Sequence, residues 1–207
     1  RIMKIYDLLD TGEDEFIKEI YEDGIQSLSK FFGFTIKPVM IFVKDRKTIN
    51  RLKNQETENW VVGWVEGNRI FMLHRDSYGI ETSNTYDPKY YGATLKHEMV
   101  HVFHRNLSKN KMPLWLTEGI AIYLSGQVDM KEPVDTLKEF LDIEKYDQGN
   151  IYKESGFVIK KLIDKFGKEK LIELIKFTSV MKSKVEFLDK FKKIYGSELS
   201  YDWINSL

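Results

Sequence analysis

The sequence predicts an α+β protein, and three observations carry that expectation. Short runs of branched and aromatic residues that read as strands all lie before residue 74. Beyond Pro88 the apolar residues recur at helical spacing, with Pro and Gly mainly at the breaks. The order is therefore a small β-containing front and a helical back, not the strand–helix alternation of a parallel α/β sheet. Residues 13–32 place Phe16, Ile17, Ile20, Ile25, Leu28, Phe31 and Phe32 at helical spacing behind a run of acids, with Gly33 as the stop. Residues 38–43 form an apolar run that reads as a buried strand, and Asp45 can cap a short helix to about residue 52. Residues 60–65 and 69–73 flank a Gly-Asn turn and read as a hairpin. Residues 75–87 read as an irregular loop. Asp87-Pro88 is a helix start, an acid at the cap followed by Pro at the first position, for a segment running to about residue 105. Residues 106–111 are polar and loop-like. Pro113 opens a second helix that ends near Gly126. Further helices are expected at 134–142, 151–166, 168–179 and 183–195, with a short one near the end. The chain divides into a front part, 1–126, and a helical part, 127–207, sharing one core.

Composition narrows the function. The 207 residues suit one compact domain, and 42% hydrophobic residues supply a core. Lys+Arg and Asp+Glu are both 32, so the net charge is zero, which argues against nucleic acid as a partner. Without Cys there is no disulfide scaffold, thiol nucleophile or Cys-ligated zinc. No apolar run approaches 18 residues, so no membrane span is expected. The chain opens at Arg1 without an initiator Met, which leaves room for a removed signal peptide or anchor. The expectation is a soluble domain, with the compartment, cytoplasmic or extracytoplasmic, left open.

The chemistry concentrates in His97-Glu98-Met99-Val100-His101. On a helix, residues i and i+4 stack on one face, so both imidazoles can aim at a single ion. Glu98 sits about 100° round the helix, too far to share the clamp but able to reach a water on the ion's open side, as a general base must. With four His in the chain, a chance match to this pattern is expected in about 0.007 of such sequences. A catalytic zinc site ordinarily has a third protein ligand. Glu118 is a candidate, a single carboxylate amid the apolar run Trp115-Leu116-Thr117-Glu118-Gly119-Ile120-Ala121, where a charge is costly unless paired or ligating. The alternative is a partly exposed Glu beside Gly119. That glycine is expected to let the segment pack closely on the His97 helix.

His97-Glu98-x-x-His101, followed after 16 residues by the glutamate of Trp-x-x-Glu-Gly, resembles the gluzincin zinc metallopeptidases. The resemblance is strongest to compact peptidase-MA-like members of the thermolysin-like or minigluzincin type. It covers residues 59–126, and residues 152–167 look like the helix that follows in those families. The resemblance implies a zincin-like catalytic domain, one catalytic Zn2+ on His97, His101 and Glu118, and Glu98 as catalytic base and proton shuttle. It implies Tyr152 as the donor to the oxyanion, and a hairpin strand along the cleft rim where peptide adds as a further strand. The implied activity is hydrolysis of peptide or protein substrates. The alternative is a zinc-binding module that senses peptide or cell-wall fragments and hydrolyses little.

Several positions depart from the family pattern. Ile122 stands where thermolysin-like members carry an Asp oriented to a zinc histidine, so support for His97 is expected from elsewhere, such as a backbone carbonyl. The Gly-x-Met-Glu-Asn signature of aminopeptidases is absent, which favours endopeptidase activity. No further histidine follows at metzincin spacing. His104 shares the face of His97 but lies about two turns away, so packing or support of a ligand is its expected role. His74 is expected as an exposed strand-end residue, Tyr123 in the core, and 182–193 as a solvated helix face.

Overall fold

In the computed structural model, residues 14–109, 112–141 and 148–207 are described. The fold is α+β and mostly helical, with one small mixed sheet. Helix α1 (Glu15–Phe32) begins on Asp14, whose side chain accepts from Ile17 N, and stops at Gly33, where φ is 81°. Strand β1 (Val39–Val43) follows, then α2 (Arg46–Lys53), capped by Asp45 through Thr48 N at 2.7 Å. Strands β2 (Gly63–Glu66) and β3 (Arg69–Leu73) form the expected hairpin. The sheet order is β1-β3-β2, with β1 parallel and β2 antiparallel to the central β3. The rim strand is thus only β2. Trp60 and Val61 lie ahead of it, and Trp60 is exposed.

Two expectations are corrected. Residues 75–87 are not all loop, because α3 spans Arg75–Glu81. Its few apolar residues hid it. The helix is fixed by long-range contacts instead: Tyr78 is buried, and Arg46 binds Glu81 through both backbone and side-chain atoms. His74 caps this helix, its Nδ1 accepting from Asp76 N at 3.3 Å, and packs edge-on to Phe42, so it serves the fold and not the cleft. The second correction is at 134–142. Residues 134–141 are non-helical, and 142 lies outside the described residues. The backbone N–H groups of Lys138, Glu139 and Phe140 all donate to the Glu154 carboxylate. Asn205 takes Leu137 through both N and O, and Tyr201 accepts from Leu141 N. Side chains from distant elements satisfy the donors that a helix would have satisfied internally.

Helix α4 (Pro88–Ser108) runs through the middle, buried from Tyr91 to His104 except at Lys96. It is capped by Asp87 and ends three residues later than expected because Ser108 is buried and Leu107 packs on the core. Helix α5 (Leu114–Leu124) follows Pro113, and a 3-10 turn (Gln127–Met130) follows Gly126, where φ is 81°. Helices α6 (Gln148–Phe166), α7 (Lys168–Thr178), α8 (Lys184–Tyr195) and α9 (Tyr201–Ser206) complete the fold. A single apolar cluster runs from Ile17 to Ile204 and includes both parts of the chain. Among the described residues, no helix is long and apolar enough to cross a membrane.

Gly119 is corrected in its partner. A Cβ there would lie 2.6 Å from Ser155 O and 2.8 Å from Ile159 Cγ1, so the close approach is to α6, not to α4. Gly156 on α6 answers it, since its Cβ would lie 2.5 Å from Ile122 Cγ2. This seam carries Tyr152 on α6 towards the carboxylate of α5.

Candidate metal centre

The i, i+4 stacking on α4 places His97 Nε2 and His101 Nε2 3.0 Å apart. Helix α5 crosses at this point and brings Glu118 Oε2 to 3.3 Å from the first nitrogen and 3.7 Å from the second. A tetrahedral ion with bonds of 2.0–2.1 Å separates its ligand atoms by about 3.3 Å, so the triangle has the size of one face of such a site. All three residues are buried, and together they could hold a metal ion.

Two further observations test the fit. Glu118 Oε2 is buried without a hydrogen-bond partner, a costly state for a carboxylate oxygen with nothing opposite it. The neighbours of His97 also turn its free nitrogen inwards. His97 Nδ1 donates to Gln127 Oε1 at 2.9 Å, and the Gln127 amide is itself oriented by Nε2 donating to Thr94 Oγ1. His101 Nδ1 lies 2.9 Å from His104 Nε2. If His101 donates there, its Nε2 lone pair faces the centre. His104 can accept that bond because burial, with Arg105 adding, pushes its own pKa down to about 3 and keeps it neutral.

The charges tell the same story. Burial opposes a charged His97, but Glu118 and Glu98 outweigh it and raise its pKa. Burial lowers His101, with His97 adding to the effect. Burial pushes Glu118 up, yet the two imidazoles pull it below the ordinary carboxylate range. The trio therefore favours one positive charge at its centre, which a divalent cation would supply with bonds to all three donors.

The expected site residues fall together. Glu98 and Tyr152 line the same cleft of about 580 Å³ as the trio. Burial raises the Glu98 carboxyl to about 7 and Glu118 adds to the rise, against His97, Arg105 and Lys53. A cation held by the trio would lower it again. Gly63 of β2 lies directly over Glu98, since a Cβ there would come within 3.1 Å of Glu98 Cγ. Burial raises the Tyr152 phenol, and Glu118 and Glu98 add to the rise, so it stays protonated beside the Glu118 carboxylate. Tyr123 is only partly buried and packs against the core.

Sequence reasoning missed Gln127, whose side-chain amide, not a backbone carbonyl, supports His97. It also gave no role to Arg105, whose guanidinium donates to Val65 O at 3.0 Å and fastens β2 to α4. A polar residue directly after Gly126 on a buried turn was the available signal for Gln127. No protein-family profile, no curated protein and no solved structure matches the chain.

Proposed function

We propose that the protein is a zinc-dependent peptidase with a zincin-like arrangement, most consistent with an endopeptidase. The observation that carries this reading is the triangle of His97 Nε2, His101 Nε2 and Glu118 Oε2, with Glu98 beside it in the same cleft. Zinc held there would act as a Lewis acid on a peptide carbonyl and acidify a water. Glu98 takes the proton of the attacking water and passes it to the leaving amine, a role open to a buried carboxylate beside the trio in the same cleft. Tyr152 keeps its proton and can donate a hydrogen bond to the oxygen on which negative charge develops.

The edge of β2 supports an extended peptide. Val62 O accepts from Leu73 N. By strand alternation the groups of Gly63 and Val65 then face away from β3. Arg105 occupies the Val65 carbonyl, which leaves Gly63 N–H and C=O and Val65 N–H for main-chain pairing with substrate.

The test is to measure zinc content and cleavage of a peptide library before and after Glu98→Gln. Zinc is expected to stay while cleavage falls by about 10²–10⁴-fold. Unchanged cleavage would remove Glu98 from the chemistry, and absence of zinc from protein purified without chelator would remove the metal.

A further inference from the structure

The cleft also carries cations for which hydrolysis itself has no use. Lys53, at the end of α2, Arg105, on α4 one turn beyond His101, and Lys131, just past the 3-10 turn, all line its wall. Among the described residues none of the three is in an ion pair. Arg105 is committed to Val65 O only through Nη1, and the Lys53 ammonium lies 5.2 Å from the centre of the Trp64 ring. Lys131 is half-buried, burial lowers its pKa, and among the described residues no acid forms an ion pair with it.

On the same wall the acids other than Glu98 and Glu118 reduce to Glu66, which accepts from Trp64 Nε1 at 2.8 Å. A divalent ion would offset Glu98 and Glu118, leaving the walls with two surplus positive charges. The chain as a whole is neutral, so this is a local concentration of charge in a concave cleft, whose walls focus the field.

The cations lie at two ends of the cleft. Arg105 and Lys53 both act electrostatically on Glu98, on the β2 side. Lys131 leaves the turn whose Gln127 touches Thr94 and His97, towards the other end of α4.

We propose that the cleft selects acidic peptides, with an Asp or Glu side chain on one side of the scissile bond meeting Lys131 and one on the other side meeting Arg105 and Lys53. The proposal rests on the peptidase reading in taking this cleft as the place where substrate lies. A substrate carboxylate supplies the countercharge that half-buried Lys131 lacks among the described residues. It also brings the peptide to the cleft faster and excludes basic sequences by repulsion.

Binding tests it separately from turnover. Zinc-loaded Glu98→Gln protein is titrated with labelled peptides of one length. These carry Asp/Glu, Ala/Gln or Lys/Arg on either side of a fixed central dipeptide, each amidated and with a free C-terminus. Acidic peptides are expected to bind about tenfold tighter than neutral ones at low salt, basic ones weakest, with the spread shrinking as salt rises. Lys131→Gln and Lys53→Gln are each expected to reduce the acidic-to-neutral ratio about fivefold, on opposite flanks of the peptide. Lys193→Gln, on α8 away from the cleft wall, leaves that ratio unchanged. Equal affinity for acidic and neutral peptides overturns the proposal. A preference that vanishes on amidation overturns it in favour of a C-terminal carboxylate. The same library given to the unmutated zinc-loaded protein separates the two ideas. Acid-selective binding without cleavage defeats the peptidase reading and keeps the cleft's selectivity, whereas cleavage blind to acidic flanks does the reverse.

Discussion

Gln127 fixes which nitrogen His97 offers to the centre. Its carbonyl oxygen holds Nδ1–H at 2.9 Å, and its amide is oriented by Thr94. Gln127→Leu removes that bond and frees the ring to turn. Zinc affinity is then expected to fall about 10–100-fold, read by competition with a chromophoric chelator, while Gln127→Glu, which still accepts, retains most of it. The residues of the candidate centre were legible because helical spacing alone stacks His97 and His101, and because Glu118 stands out as one charge in an apolar segment. Gln127, Arg105 and Lys131 were not. Their roles depend on a turn, a strand edge and a cleft wall that only the folded chain brings together. Ile122, which replaces an acid in the related pattern, hid the support for His97 by showing where it was absent and not where it had moved.

At the scale of elements, the α5–α6 seam decides the positions of Glu118 and Tyr152. Gly119→Ala drives a Cβ to 2.6 Å from Ser155 O, a backbone atom that cannot swing aside. The expected cost is about 1–3 kcal/mol or more, measured as a lower urea midpoint. Gly24→Ala serves as the comparison, because the atoms it meets, Met99 Cε and Sδ, belong to the end of a flexible side chain, and it should cost less. Elements that declare themselves by periodicity or by a cap were readable: α1 from its apolar spacing, α2 from Asp45, α4 from Asp87-Pro88, and the hairpin from its Gly-Asn turn. Those held by remote partners were misread. Helix α3 depends on Arg46 and buried Tyr78, and residues 134–141 give up a helix because Glu154 and Asn205 take their backbone groups. The parallel pairing of β1 with β3 is likewise a long-range event with no local signature.

For the whole molecule, a ligand that binds only the native state raises its stability. An ion held by His97, His101 and Glu118 would join α4 to α5, so adding zinc to metal-free protein at 100 times its dissociation constant should contribute about 2.7 kcal/mol. At roughly 2–4 °C per kcal/mol for a chain of this size, the melting temperature should rise by about 5–10 °C. Histidine must be neutral to bind metal, and Glu118 and Glu98 raise the His97 pKa against its burial, so the increment begins to fall above the ordinary imidazole value of about 6.5 and is lost as pH drops through it. Calorimetry with and without zinc at pH 7.5 and pH 5.5, arbitrary points about one unit either side of that value, checks both. No shift at the higher pH would count against the centre. The seam of glycines has a mechanical consequence too. Floor and back wall are locked helix to helix, whereas the opposite lip is a four-residue edge strand paired on one side with β3 and held on the other by Arg105 and, through the segment before it, by Arg46. A guest too bulky for the mouth would displace that edge strand before it parted the two helices, whose glycines leave no slack. Deuterium labelling should find the outward-facing amides of Gly63 and Val65 exchanging well before those of α5 and α6.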